Sequence, residues 1–139
     1  MTAFGKTERS LVKTTKLKNG DGGKTTKDKV FILSVDDLNN NKYHFDGAYS
    51  NICMPTEYAV KHGLKSFDPG EDYVYEDKDR CSWWLRNLGG ASMFANYMNS
   101  GGTVLNYGYV NYNATFMHDG YFQDYNIVAV RPAVCISLK

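Results

Sequence analysis

One segment of the chain, residues 92–126, combines many aromatic residues with asparagine and glycine and lies between two apolar motifs. It contains six of the eleven tyrosines. The motif before it is residues 81–86 (CSWWLR), and the motif after it is residues 128–138 (VAVRPAVCISL). Apolar runs of this kind predict buried strands, whereas tyrosine, asparagine, serine and glycine give binding loops contact area and adaptable hydrogen bonds. The sequence therefore predicts a rigid frame that presents a binding segment.

Length and charge narrow the classes of partner. A chain of 139 residues predicts one domain over residues 1–139. The net charge is +1, so we expect neither a nucleic-acid partner nor an anionic membrane surface. No apolar run approaches the ~20 residues of a membrane helix, so no membrane insertion is expected. The first residues show no secretion-signal pattern, which leaves the localisation open.

The first part of the chain predicts a helix, a loop and a strand. Residues 7–12 have the pattern of a short amphipathic helix with Thr7 as its N-cap. Residues 13–29 are rich in lysine and glycine and predict a flexible polar loop, because they bury little apolar surface. Residues 30–33 form a continuous apolar run and predict a strand that is buried on both faces.

Two further short helices carry capping signals. Ser34 and Asp37 form a capping pattern that predicts a helix over residues 35–38. Thr56 is the expected N-cap of a second helix, and Gly63 fits the position just after its end.

The cysteines and acidic residues give no clear metal site. The chain has three cysteines, so at most one disulfide forms; pairing of Cys53 with Cys81 stays open, and Cys135 is expected to be a small buried residue. The three histidines lack metal-ligand spacing, and the acidic residues 66–79 match no EF-hand loop. We expect no metal and no cofactor.

The motif before the aromatic segment predicts core residues. Trp83 and Trp84 are adjacent, and exposing both would be costly, so both are expected to be buried. Arg86 follows them and is expected to bind several carbonyl groups with its guanidinium. Residues 127–138 predict a long apolar strand in which Pro132 marks an edge, a bulge or a break.

Residues 103–111 predict a strand with two different faces. Because side chains alternate along a strand, Val104 shares a face with Val110, and we expect this face to be buried. Leu105, Tyr107 and Tyr109 would then form an exposed ladder, a surface that monomers rarely keep without a partner. The alternative is that these tyrosines pack on a neighbouring element.

Residues 111–126 show no clean periodicity and predict a long loop, and long loops in compact domains are usually functional or disordered. The predicted ligand-binding residues are the large side chains of this loop and of the preceding strands, although each could instead serve ordinary packing. They are Met93, Phe94, Leu105, Tyr107, Tyr109, Tyr112, Phe116, Met117, His118, Tyr121, Phe122 and Tyr125.

Five segments in order resemble a known family. They are residues 29–34 (KVFILS), 55–59 (PTEYA), 81–86 (CSWWLR), 99–104 (NSGGTV) and 130–133 (VRPA). The set resembles an uncharacterised bacterial domain family with WWLR and VRPA signatures. That family is similar to the C-type lectin fold of the formylglycine-generating-enzyme type.

The resemblance implies an α+β, C-type lectin-like fold, in which short helices pack on small antiparallel sheets with long loops. It implies that Trp83, Trp84, Arg86, Arg131 and Pro132 belong to the scaffold. It further implies similarity to the variable proteins of diversity-generating retroelements, which display altered residues near the C-terminus. The expected function is a ligand-binding, protein-binding display domain, displayed on a surface or a phage as part of a longer protein.

Two alternatives stay open. A carbohydrate-binding adhesin module would stack aromatic side chains on sugar rings, although the sequence lacks the EPN-like and WND-like calcium motifs. A formylglycine-generating-enzyme-like activity is less favoured, because no Ser-His-Asp, Cys-His or HExxH arrangement is visible, so we expect no enzyme. The expected partner is a protein or a glycan, and homo-oligomerisation through the aromatic ladder is open.

Overall fold

The computed structural model describes residues 4–20, 23–45, 48–64, 80–89, 94–109, 116–118, 121–123 and 128–137. Within them the chain is an α+β structure of short helices and small sheets. The helices are α1 (Lys6–Leu11), α2 (Val35–Leu38), a 3-10 turn (Asn41–Tyr43), α3 (Ala48–Asn51) and α4 (Glu57–Lys61). The strands are β1 (Val12–Lys13), β2 (Thr15–Leu17), β3 (Thr26–Asp28), β4 (Phe31–Ile32), β5 (Ser82–Leu88), β6 (Phe94–Met98), β7 (Val104–Tyr109), β8 (Phe116–His118), β9 (Tyr121–Gln123), β10 (Val128–Ala129), β11 (Pro132–Ala133) and β12 (Cys135–Ile136).

The largest described sheet has the order β10-β5-β6-β7, parallel between β10 and β5 and antiparallel elsewhere. Trp83 and Trp84 lie in its central strand β5 and pack into different apolar clusters, because consecutive residues of a strand lie on opposite faces. Trp83 is 0% exposed and packs with Leu85 and Met98 on one face. Trp84 packs against Tyr97, also 0% exposed, on the other. The expectation that both tryptophans are buried is confirmed for Trp83, whereas Trp84 is only partly buried against Tyr97. Strands β5 and β6 lie between two apolar clusters.

Two small sheets connect distant parts of the chain. Strand β1 pairs with β12 near the two ends, and β4 pairs with β11. The predicted long strand over residues 127–138 is therefore three short strands. Pro132 lies in β11, opposite Ile32, in a ladder of only two strands. This position fits a residue that has no backbone N–H, so of the three predicted alternatives, an edge, a bulge or a break, Pro132 occupies an edge position.

The prediction of a flexible loop over residues 13–29 is wrong. Strands β2 and β3 pair as an antiparallel hairpin, with Leu17 opposite Thr26. Leu17 is only 5% exposed, and the Asn19 side-chain amide donates to the Lys24 carbonyl at 2.6 Å. Composition misled the prediction because one buried leucine and the strand ladder order a segment that is otherwise polar.

Two of the predicted capping patterns are confirmed. The Ser34 hydroxyl accepts the Asp37 amide hydrogen at 3.1 Å, and an Asp37 carboxylate oxygen accepts the Ser34 amide hydrogen at 2.9 Å. Helix α2 therefore covers the predicted residues. Thr56 caps α4 through the Ala59 amide at 3.2 Å, and Gly63 follows α4 with a φ of 93°, a conformation that favours glycine.

Two other boundaries differ from the prediction. Helix α1 begins at Lys6, because the Glu8 carboxylate accepts the Gly5 amide hydrogen at 2.6 Å and so places the cap at Gly5 rather than Thr7. The apolar run at residues 30–33 contributes only two residues to a strand, and Val30 is exposed. Among the described helices, none is long and apolar enough to cross a membrane.

The long loop predicted for residues 111–126 contains a hairpin. Strands β8 and β9 pair in antiparallel register, and His118 lies opposite Tyr121. The two residues between them in sequence are Asp119 and Gly120, the dipeptide that two-residue hairpins favour. This local signal was present in the sequence, but the prediction weighed only the missing periodicity.

Candidate functional site

The predicted ligand-binding residues fall on two strand pairs and on undescribed positions. Phe94 begins β6 and pairs with Tyr109 at the end of β7, the strand that also holds Tyr107. Residues 116–118 form β8, and Tyr121 and Phe122 belong to β9. Three predicted residues lie outside the described part of the chain: Met93, Tyr112 and Tyr125.

The strand order brings the two aromatic strand pairs together. Strand β7 is the last strand of the described four-stranded sheet, and β8 contacts it. The tyrosine-rich strand β7 is thus followed in space, as in sequence, by the hairpin β8–β9. We call residues 106–109 of β7, together with strands β8 and β9, the aromatic edge.

Leu105 is a correction to the predicted site. It pairs directly with Tyr97 on β6, and directly opposed residues of two strands share a face of the sheet. Because Tyr97 is fully buried, Leu105 packs into the same cluster as Trp84 and Val128. Val104, predicted to be buried, is instead 37% exposed. We call the core residues of the central sheet, among them Trp83, Tyr97 and Met98, the frame. Leu105, partly buried against Tyr97, belongs to the frame rather than to the exposed surface.

The Arg86 side chain connects the four-stranded sheet to three other elements. Its Nη1 donates to the Ile32 carbonyl at 2.8 Å and to an Asp37 carboxylate oxygen at 2.6 Å, and its Nε donates to the Lys18 carbonyl at 3.3 Å. One side chain thus joins the hairpin β2–β3, strand β4 and helix α2 to β5. The predicted role of Arg86, binding several carbonyls, is confirmed.

Asp37 is the acidic partner in this arrangement, and its environment favours the charged form. Burial alone would raise the pKa of Asp37, but the hydrogen bonds from Ser34 and Arg86 and the charge of Arg86 outweigh it. The pKa of Asp37 is therefore held below its ordinary value. Helix α2 is further attached to β5, because the Val35 amide donates to the Asn87 side chain at 2.8 Å.

Arg131 makes a second set of connections between elements. Its guanidinium lies over the Trp83 ring, 4.9 Å from the centroid, and 5.7 Å from the centroid of the Phe45 ring. Its Nη1 donates to the Ser50 carbonyl at 3.3 Å. The Trp83 indole N–H donates to the Asn51 carbonyl at 2.9 Å, so helix α3 is fixed by both side chains.

A cavity of about 570 Å³ lies between the two arginines. Its walls come from strand β2, from strands β4, β5, β11 and β12, from helix α2 and from the 3-10 turn. Four basic and two acidic side chains line it, so its charge balance is positive. The charged and aromatic lining residues are Lys16, Lys18, Arg86, Arg131, Asp36, Asp37, Phe31, Tyr43 and Phe45.

Comparison with known proteins identifies the family. The model of a family described as a domain of unknown function, DUF6273, matches residues 1–138. The chain belongs to this family. No curated protein and no solved structure matches the chain. The resemblance to a family of unknown function, found on the five sequence segments, is thereby confirmed.

The cavity was not predicted from the sequence. Its outer wall contains Lys16 and Lys18, which the composition assigned to a flexible loop. The available signal was Leu17, an apolar residue that stands between Lys16 and Lys18, as expected for a strand with one buried face.

The described part of this DUF6273 chain thus has two candidate surfaces with different chemistry. The aromatic edge offers tyrosine-rich strands at the end of a sheet, which suits contact with another macromolecule. The cavity is concave, positively charged and partly aromatic, which suits a small polar or anionic ligand. Arg86 and Arg131 line the cavity and bond to elements around it, whereas the aromatic edge is attached through the pairing of β7 with β6.

Proposed function

We propose that this chain is a ligand-binding domain, and specifically a protein-binding one, that presents the aromatic edge on a rigid frame. The observation that carries the proposal is the position of β7. This tyrosine-bearing strand ends the described sheet and contacts the hairpin β8–β9, while its neighbour β6 is anchored in the core.

The anchoring of the frame supports binding through its energetics. Tyr97 and Met98 of β6 are fully buried on opposite faces of the sheet, and Trp83 is fully buried beside them. A surface held by such a frame loses little conformational entropy on association, so more of its contact energy becomes affinity. Tyrosine adds to this, because it gives a large contact area for few rotatable bonds.

The finer form of the proposal is a C-type lectin-like variable protein of a diversity-generating retroelement. Short helices, small sheets and long connections agree with such a fold. In this form the frame residues stay constant while residues of the aromatic edge change. Tyr97 and Leu105 lie within the tyrosine-rich segment but belong to the frame, so the proposal assigns them to the constant set.

A binding experiment tests the general proposal. The purified chain is applied to an array of immobilised proteins and glycans, beside a variant carrying Tyr107→Ser and Tyr109→Ser. A matched control carries Tyr58→Ser, a tyrosine that is 72% exposed on α4, away from the edge. We expect the double variant to lose binding to protein targets at least tenfold, and the control to keep it.

A stability control and the array result together decide the outcome. Unfolding in urea must give the same midpoint for the double variant and the original chain, so that lost binding reflects the surface. Equal loss in the Tyr58→Ser control, or full binding in the double variant, would contradict the proposal.

The second candidate function is binding of a small polar ligand or glycan in the cavity. The cavity itself favours it, because aromatic rings and charged side chains line the same concave space. In that case Tyr43→Ala, a change at the cavity, would remove glycan binding while Tyr107→Ser would not. Repeating the array with a calcium chelator separates calcium-dependent sugar binding from the rest.

A further inference from the structure

Two cysteines that are distant in sequence lie directly opposite each other. Cys53 and Cys81 form an isolated antiparallel bridge, although they are 28 residues apart. The Cys81 amide donates to the Cys53 carbonyl at 2.9 Å, and the Cys81 sulfur lies 3.5 Å from the same oxygen. Both cysteines are free thiols.

The geometry of this bridge allows a disulfide. A hydrogen-bonded antiparallel pair places its Cα atoms about 5.5 Å apart, within the roughly 4.4–6.8 Å range that a disulfide spans. The two thiols are close enough to shift each other's pKa. The pairing of the two residues in the bridge is therefore compatible with the backbone separation of a disulfide.

The two thiols are chemically unequal. The hydrogen bond from the Cys81 thiol, helped by the positive charge of Arg131 and opposed by burial, lowers the pKa of Cys53 to about 6. The same hydrogen bond and burial raise the pKa of Cys81. At neutral pH the Cys53 sulfur is therefore mainly a thiolate, and Cys81 keeps its proton.

Accessibility agrees with this division. Cys53 is only half-buried, whereas Cys81 is 1% exposed at the start of β5. A partly exposed thiolate beside a guanidinium is the environment of a reactive cysteine, and a buried neighbour is suited to resolving the first product.

We propose that Cys53 and Cys81 form a thiol–disulfide exchange site that reduces low-molecular-weight disulfides and closes as a reversible Cys53–Cys81 disulfide. The Cys53 thiolate attacks one sulfur of the small disulfide, forms a mixed disulfide and expels one thiolate. That thiolate or solvent takes the proton of Cys81. The Cys81 sulfur then attacks the Cys53 sulfur and expels the second thiolate. Two protein thiols are oxidised, and one small disulfide is reduced to two thiols.

The bond would act on the frame that carries the aromatic edge. Cys53 follows helix α3, whose Asn51 carbonyl binds the Trp83 indole, and Cys81 directly precedes β5. The disulfide therefore fastens the end of α3 to the start of the central strand. We expect the oxidised chain to unfold at a higher temperature than the reduced chain.

The first test uses the unmodified chain with glutathione disulfide as the probe. The reduced protein is equilibrated at several ratios of reduced to oxidised glutathione, alkylated and digested, and the cysteine-containing peptides are identified by mass spectrometry. We expect a Cys53–Cys81 crosslinked peptide that disappears when reduced glutathione is in excess. A chain with no crosslink at any ratio, or one crosslinked through Cys135, would overturn the proposal.

Variants then test the order of the steps. Cys81→Ser should stop at a mixed disulfide between Cys53 and glutathione, because the resolving thiol is absent. Cys53→Ser should react at least tenfold more slowly. Cys135→Ser, the matched control at the third thiol, should behave as the original chain. Circular dichroism of each variant confirms that it is folded.

A kinetic measurement on the unmodified chain does not depend on any variant. The rate at which iodoacetamide alkylates Cys53 is followed against pH, with Cys135 of the same molecule as the internal comparison. We expect the Cys53 rate to reach half of its maximum near pH 6. Identical pH profiles for Cys53 and Cys135 would overturn the assignment of Cys53 as the attacking thiol.

Discussion

At the scale of single residues, the ion pair of Arg86 and Asp37 connects strand β5 to helix α2. Its atoms are 2.6 Å apart, and the two side chains are only 12% and 20% exposed. The exposed pair of Lys61 and Glu57 on α4, at 3.6 Å, offers a comparison within the same molecule. Burial makes the first pair costly to break, because the remaining charge keeps its desolvation penalty without a partner.

We predict that Asp37→Ala lowers the free energy of unfolding by about 3–5 kcal/mol, the cost of leaving a buried charge unpaired. Glu57→Ala, the control on the exposed pair, should lower it by no more than about 0.5 kcal/mol. Urea unfolding of both variants measures the difference. Similar small effects in both would show that the Arg86 network does not hold the frame.

Acid should weaken the same interaction. Because the folded pKa of Asp37 lies below its ordinary value of 3.8, its contribution to stability is fully present above that value and is lost as the pH falls through the folded pKa. The stability difference between the original chain and Asp37→Asn should therefore shrink on acidification below that ordinary value. A difference that stays constant from neutral pH to about pH 2 would contradict the assigned hydrogen bonds.

At the scale of elements, the hairpin β2–β3 is the clearest departure from the sequence-based expectation. It supplies the outer wall of the cavity and a carbonyl to Arg86. Leu17 is its one fully buried apolar residue. Its burial, together with the hydrogen bond from Arg86 to the Lys18 carbonyl, holds the hairpin to the rest of the structure.

We predict that Leu17→Ala lowers the free energy of unfolding by about 2–5 kcal/mol, as expected for a buried leucine. Leu88→Ala, at a position of β5 that is 60% exposed, is the matched control and should change it much less. Chemical denaturation of the two variants checks this. Equal effects would mean that residues 13–29 are the flexible loop that their composition predicts.

Local signals predicted the elements that depend on local chemistry. Ser34 with Asp37, Thr56 with Gly63, and the pair Trp83 and Trp84 were all identified because caps and strand alternation act over a few residues. Local signals could not predict which side chains of β7 pack toward the core. It is set by the pairing of Leu105 with Tyr97 on another strand, which no periodicity within β7 reveals.

The candidate surfaces show the same division. The tyrosine-rich segment was visible from composition, and the carbonyl-binding role of Arg86 followed from its place after two buried tryptophans. The cavity needs four separate segments to meet, and the Cys53–Cys81 bridge joins residues 28 positions apart. Contacts of this range are decided by the whole fold, so the sequence left them open.

At the scale of the whole molecule, we propose that a constant frame presents the aromatic edge, whose residues can be replaced. Arg86 bonds to β4 and α2, and Arg131 bonds to α3 and lies over the Trp83 ring, so these elements are held to the central strands. The aromatic edge extends from this frame at β7. Under the proposed function, we expect substitutions of its residues to affect stability less than substitutions in the frame.

The measurement that tests this claim most directly is sequencing of the gene and its 3′ flank across a population of the source. The account predicts that substitutions concentrate in residues 107–125, at adenine-containing codons, while Trp83, Arg86, Tyr97 and Arg131 stay constant. A near-copy template beside the gene should accompany them. A segment as constant as the frame, with no template nearby, would contradict the claim of a replaceable surface.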